Sequence, residues 1–125
     1  MPNITKLDKV FSEYIRRRDA DEYGRVKCCT CDAVAHWSEV DCGHWMHRSN
    51  MGTRFDEENC HAQCRVCNRH FDGEFNKHRA YIIERHGFDA SCDLGHKRIK
   101  EVHLMQYEID QMTQDYKDKI KALES

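Results

Sequence analysis

The sequence predicts a small α+β domain stapled by zinc and flanked by an N-terminal helix and a long C-terminal helix. Three observations predict it. Two C-x2-C pairs, Cys28-Cys29-Thr30-Cys31 and Cys64-Arg65-Val66-Cys67, supply four thiols at the spacing that lets a tight turn present two sulfurs to one ion. The stretch from Val26 to Trp45 carries β-formers and cysteines without a helical period. On either side of this region, apolar residues recur three or four apart, the period of an amphipathic helix.

Taken in order, Leu7, Val10, Phe11, Tyr14 and Ile15 predict an entry helix over residues 3 to 19, with Asn3 or Thr5 as N-cap and the charged run Arg16 to Glu22 at its end. Residues 26 to 45 read as short strands or a zinc ribbon, followed by a turn at Ser49-Asn50-Met51-Gly52. Cys64 to Arg85 reads as a helix broken near Gly73, carrying Phe75, Tyr81, Ile82 and Ile83, with Gly87 as its C-cap. After a break at Gly95, the positions Ile99, Val102, Met105, Ile109, Met112, Tyr116, Ile120 and Leu123 predict one long amphipathic helix. Its stripe suits equally a helix packed on its own domain and a dimerising seam. The chain therefore divides into residues 1–95, the core domain with its entry helix, and residues 96–125, a candidate dimerisation element.

Composition narrows the function classes. A chain of 125 residues fits one domain, and 39% hydrophobic residues describe a globular protein rather than a disordered tail. With 22 acidic against 20 basic residues, the net charge of −2 argues against a sequence-indifferent nucleic-acid coat, yet leaves room for local clusters such as Arg16-Arg17-Arg18. No apolar run approaches the roughly 20 residues that span a bilayer, and the first ten residues lack a signal-peptide pattern. The expectation is a cytoplasmic protein with no membrane partner. In a reducing compartment, eight cysteines with two C-x2-C pairs favour zinc over disulfides.

A shell of four thiolates, Cys28, Cys31, Cys64 and Cys67, leaves no open position, so Zn2+ there is structural. Binding free energy on the order of 10 kcal/mol can substitute for missing core. The blander reading, four buried thiols without metal, is the weaker one, because two such pairs seldom arise from packing alone. Cys29, Cys42, Cys60 and Cys92 are spare, and Cys42 and Cys60 read as small core residues.

Between the pairs runs Asp41-Cys42-Gly43-His44-Trp45-Met46-His47-Arg48, then Phe55 to His61, and the second pair leads directly into Asn68-Arg69-His70. A neutral imidazole activates water, while carboxylate and amide oxygens suit a hard ion such as Mg2+ or Mn2+; together these are the parts needed to hydrolyse a phosphodiester. A lone histidine is more often a packing residue. His44 outweighs that reading because both Cys pairs flank it and Asn59 and Asn68 follow. Arg48, Arg54, Arg65, Arg69, Lys77 and Arg79 surround these motifs as phosphate contacts, with plain solvated surface as the alternative for each. Trp37 and Trp45 read as packing residues rather than base-stacking platforms.

In its order of Cys pair, Gly-His, Asn, Cys pair and Asn, the sequence resembles the HNH endonucleases, whose zinc-containing members place two Cys pairs around a ββα-metal (His-Me finger) site. The run Cys28 to Cys31, Asp41-x-Gly43-His44, Arg54-Phe55-Asp56-Glu57-x-Asn59-x-His61-x-Gln63-Cys64-x-x-Cys67-Asn68-x-His70 and Gly73 is similar to the phage NinG/Rap recombination proteins, over roughly residues 10 to 90. The last helix is similar in position and charge pattern to that family's C-terminal helix.

The resemblance implies metal-dependent cleavage of branched DNA, notably Holliday junctions. In it His44 is the general base, Asn59 braces the loop and the base's ring, and Asp41 and Asn68 hold the catalytic Mg2+ or Mn2+. His70, ranked above His61, is a second ligand or a phosphate contact. Asp41 stands three residues before the base, where many HNH sites place the ligand immediately before it. Glu74 and His78 replace the Asn and Tyr usual in the NinG pattern, a departure that bears on substrate preference. Two symmetric nicks imply a homodimer on DNA. The alternatives are a nicking or double-strand endonuclease on ordinary duplex, and a non-catalytic zinc-ribbon DNA-binding module.

Overall fold

The computed structural model describes residues 2–125; Met1, the first residue of the predicted 1–95 unit, lies outside them. Helix α1 spans Thr5–Arg18. The Asn3 side chain accepts from the Thr5 N–H at 2.9 Å, satisfying one of the donors a helix start leaves free, while Arg16, Arg17 and Arg18 sit at the carbonyl end, where cations are favoured. Leu7, Phe11 and Ile15 form its buried face.

Strands β1 (Arg25–Lys27) and β2 (Val34–His36) pair antiparallel, with Val26 opposite Ala35. The first cysteine pair occupies the turn between them. A 3-10 turn over Trp37–Glu39 then leads into β3 (Asp41–His44), which pairs antiparallel with β4 (Cys60–Gln63), placing Asp41 opposite Gln63 and His44 opposite Cys60. The short helix α2 (Met51–Arg54) lies in the connection. A bond of 3.1 Å from the Cys29 N–H to the Ala62 carbonyl ties the first hairpin to β4.

The predicted break near Gly73 is present. A π turn over Val66–His70 ends there, and Asp72, Gly73 and Glu74 all take positive φ (49°, 77° and 52°) before α3 (Phe75–His86) begins. Glycine adopts that backbone freely, whereas Asp72 and Glu74 do so at a cost.

Gly95, by contrast, breaks nothing. It lies inside α4 (Phe88–Arg98), because Leu94 packs with Trp45, Met46 and Ile82 and holds the helix through the glycine. The chain leaves helix at Ile99, and α5 runs over Gln106–Glu124, started by Glu108 accepting from the Met105 N–H at 3.0 Å. Ile99 and Met105 are exposed and do not belong to the stripe. The residues that do, Ile109, Tyr116 and Ile120, are buried, and Ile109 and Tyr116 pack with Leu7, Phe11, Ile15 and Cys60. These contacts pack α5 against α1 within the chain.

The core falls into three separate clusters: α1 with α5 and Cys60; Trp45, Met46, Ile82 and Leu94; and Val26, Val40 and Ala62. The first is the largest, with Ile4, Val10, Tyr14, Phe55, Leu104 and Met112 packed against it. Among the described residues, no helix is long and apolar enough to cross a membrane.

Candidate metal centre and arginine-lined cleft

The four predicted thiols converge. The ligand atoms of Cys28, Cys31, Cys64 and Cys67 lie within 4.8 Å of one another, and Cys31 Sγ and Cys64 Sγ are 3.7 Å apart. Zn–S bonds of about 2.3 Å at tetrahedral angles put sulfurs about 3.8 Å apart, so this cluster has the dimensions of a zinc site. The turns are prepared for anionic sulfur: the Thr30 N–H points at Cys28 Sγ, the Ala33 N–H at Cys31 Sγ and the Cys67 N–H at Cys64 Sγ, each at 3.4 Å. Cys29 lies outside this cluster, and burial raises the pKa of its half-buried thiol. The centre clamps the tip of the first hairpin to the turn that precedes α3.

Beside it opens a cleft of about 820 Å³, bordered by Asp8, Arg16, Asp41, Cys42, His44, Arg48, Arg65, Asn68 and Arg69 among others. β3 pairs on one side only, so its other edge is free to face this space. Alternation along β3 and its register with β4 put Cys42, His44, Cys60 and Ala62 on one face and Asp41, Gly43, His61 and Gln63 on the other. Gly43 is required by this packing, since a Cβ there would sit 2.2 Å from Gln63 Oε1.

His44 ends β3. Its Nε2 lies 3.0 Å from the Arg54 carbonyl oxygen. A carbonyl only accepts, so Nε2 carries the proton, and the neutral ring keeps its lone pair on Nδ1. Burial lowers the pKa of His44 below the ordinary value; the Arg54 bond opposes this, and the Arg48 and Arg54 cations add to it. A ring that is neutral at neutral pH is the form that accepts a proton.

Asp41 and Asn68, distant in sequence, meet: Asn68 Nδ2 donates to Asp41 Oδ2 at 2.9 Å. Arg69 grips the same carboxylate, Nε to Oδ2 and a terminal nitrogen to Oδ1, both at 2.9 Å. Burial pushes the Asp41 carboxyl up, but the bonds from Arg69 and Asn68 outweigh it and hold the group below the usual range. A carboxylate and an amide oxygen are the donor set of a hard divalent ion, and Arg69, itself more than half exposed, is a cation that such an ion would displace.

The remaining predicted residues separate into those that serve the cleft and those that do not. Asn59 is fully buried, its Oδ1 accepting from the Met46 N–H at 2.8 Å and its Nδ2 donating to the Met46 and Thr53 carbonyls at 3.1 Å. These bonds brace the loop that follows His44, whereas the His44 ring is held by the Arg54 carbonyl and not by Asn59. Arg54 is tied to Asp8 and to the Arg48 carbonyl, so its side chain is a brace rather than a free phosphate contact. Arg48, Arg65 and Arg69 border the cleft, whereas Lys77 and Arg79 are exposed residues of α3 that do not. His70 stands exposed outside the cleft lining and does not join Asp41 and Asn68. Trp45 packs on Phe75 at 5.4 Å and Trp37 lies under the Arg17 guanidinium at 4.7 Å, so both act in packing.

Two features were not foreseen. Arg16, whose Nε bonds Ser12 and whose terminal nitrogen donates to the Trp37 carbonyl at 3.0 Å, adds a cation to the cleft from α1. Behind β4 lies a chain of imidazoles: His61 Nδ1 is 2.9 Å from His78 Nε2, and His61 Nε2 is 2.9 Å from His86 Nε2. His86 Nδ1 faces the Glu58 carboxylate at 3.6 Å and His78 Nδ1 is buried without a partner. Donation from His78 to His61 and from His61 to His86 makes the orphan at His78 Nδ1 a lone pair, the cheaper kind to bury. The spacing of His78, Ile82 and His86 on one face of α3 was the signal for it.

Four thiols at zinc spacing, between two antiparallel strand pairs and a helix and beside an arginine-lined cleft, define a small α+β domain with a cysteine cluster that could hold a zinc ion. The chain belongs to the NinG family: the description "Bacteriophage Lambda NinG protein" matches residues 3–125. It is 32% identical over 124 residues to Protein ninG of Salmonella phage P22, covering 92% of this chain and 58% of that protein. It is 30% identical over 124 residues to Protein ninG of Escherichia phage lambda, covering 92% and 57%, and 34% identical over 90 residues to that of Escherichia phage 933W, covering 70% and 41%. The chain thus spans between 41% and 58% of the length of these curated relatives. No solved structure matches it.

Proposed function

We propose that this chain is a metal-dependent DNA endonuclease that cleaves branched recombination intermediates such as Holliday junctions, with His44 as general base. The observation that carries the reading is the His44 ring, fixed through Nε2–H to the Arg54 carbonyl, in the same cleft as the Asp41–Asn68 pair. The cleft's arginines suit a phosphodiester backbone, with Arg16 on α1, Arg48 in the connection after β3 and Arg65 in the second cysteine pair. The junction substrate follows from the family resemblance; the geometry supports the class of chemistry.

Asp41 and Asn68 would hold a Mg2+ or Mn2+ ion, whose chemistry is to neutralise charge on the phosphate and on the leaving oxygen. His44 Nδ1 takes the proton of a water as its oxygen attacks phosphorus; the P–O3′ bond breaks, its electron pair leaving on the 3′ oxygen, which is protonated from solvent. The products are a 5′ phosphate and a 3′ hydroxyl. Arg69, released from Asp41, is placed to bind the phosphate.

His44→Ala is expected to abolish Mg2+-dependent cleavage of a four-way junction by at least 100-fold while leaving folding and DNA binding intact; an active His44→Ala protein sinks the mechanism. Forks and linear duplex assayed in parallel separate junction cleavage from action on ordinary duplex. The non-catalytic DNA-binding module is favoured by one observation, the Arg69 guanidinium closing over Asp41. Metal-dependent nicking of a supercoiled plasmid excludes it.

A further inference from the structure

Cys42 is not the inert core residue its spacing suggested. It lines the cleft, and its sulfur, a His44 ring nitrogen and Cys60 Sγ lie within 4.8 Å of one another on one face of the β3–β4 hairpin. We infer that Cys42, His44 and Cys60 form a second metal site, specific for a thiophilic divalent ion such as Zn2+ and distinct from both the four-cysteine centre and the Asp41–Asn68 seat.

The donor set argues for this class of ion. Two sulfurs and an imidazole select zinc over magnesium, which takes oxygen ligands. Three protein ligands with one side open is a stable zinc arrangement, and Zn–S and Zn–N distances of about 2.3 and 2.0 Å call for donor separations of about 3.5–3.8 Å. Side-chain rotations of about 1 Å bring the present cluster to that size. Charge argues for it as well. Binding releases the two thiol protons, and Zn2+ with two thiolates is neutral, so it can sit where Cys60 is fully buried among Phe11, Ile15 and Tyr116. A disulfide is the lesser use of these sulfurs, since Cys42 faces Ala62 and Cys60 faces His44, a diagonal whose span of about 7–8 Å exceeds the usual disulfide reach.

An ion seated there takes a nitrogen of His44. Coordination through Nδ1 removes the lone pair, and coordination through Nε2 breaks the Arg54 bond that orients the ring. Zinc would therefore inhibit the endonuclease, a consequence that rests on the proposed function, whereas the site itself does not.

The test is a zinc count. The zinc-loaded chain is dialysed against micromolar free Zn2+ and the metal per chain measured by elemental analysis, with Cys42→Ser and Cys42→Ala alongside and circular dichroism to check their folding. Two zinc ions in the native chain and one in either folded variant support the site; one ion in the native chain, or two in the variants, overturns it. In the junction assay, micromolar Zn2+ is expected to lower the native rate at least tenfold and to leave Cys42→Ser unaffected. Absence of cleavage by both proteins would speak against the endonuclease reading, while the zinc count still decides the site.

Discussion

At the scale of single residues, this protein spends its polar side chains on orientation. The Arg54 carbonyl selects the tautomer of His44, Asn59 uses three bonds to hold one loop, and Gln63 donates to both Thr30 and Gly73. His78 shows the cost of such placement. Its ring is fully buried, and burial, with a smaller push from His44, lowers its pKa to about 4. The unfolded chain titrates near the ordinary 6.5, so between these values the unfolded state binds more protons. The stabilisation is complete above pH 6.5 and is lost as pH falls towards 4, amounting to about 3 kcal/mol. Denaturant unfolding at pH 7.5 and 4.5 is expected to show a larger acid loss in the native protein than in His78→Gln. Equal losses would mean that His78 is not held neutral.

At the scale of elements, α5 decides how the chain's apolar surface is used. Ile109 and Tyr116 cover Leu7, Phe11 and Ile15, and polar contacts lock the helix at its far half: Tyr116 and Lys119 on Glu57 at 3.0 and 2.8 Å, and Arg17 on Glu124 at 2.8 Å. Burying a large apolar side chain contributes about 1.5–3 kcal/mol, so uncovering three of them on α1 approaches the 5–15 kcal/mol that holds a domain together. A chain ending at residue 105 is therefore expected to lose cooperative thermal unfolding and to aggregate. A folded, soluble truncated monomer from a dimeric parent would instead reveal α5 as a dimer seam. The helix was legible because its stripe repeats over many turns, whereas its start was not. Ile99 and Met105 fit the same period yet are exposed, and Gly95 signals a break that the packing of Leu94 overrides.

At the scale of the whole molecule, the two Cys pairs were legible because chelation demands a spacing that nothing else in a short chain needs. The meeting of Asp41 with Asn68 was foreseen through the family pattern alone, and the convergence of Cys42, His44 and Cys60 on one face of the β3–β4 hairpin not at all, since strand register is invisible in strands three to four residues long. The same fact sets the molecule's stability. Its apolar residues form three clusters, two of which meet only at β4, and the four-thiol cluster joins the first hairpin to the turn before α3, elements that share little core. With binding free energy on the order of 10 kcal/mol, zinc there is comparable to the whole stability of a domain of this size. Stripping it with a chelator at neutral pH is expected to abolish cooperative unfolding in circular dichroism and to be reversed by Zn2+ but not by Mg2+. Cys64→Ser should behave as the stripped protein does. Cys42→Ser, which removes only the cleft site, should retain its melting temperature when zinc is present and lose it on chelation as the native chain does. A zinc-free chain that melts at the native temperature would show that the three clusters suffice and that the staple is dispensable.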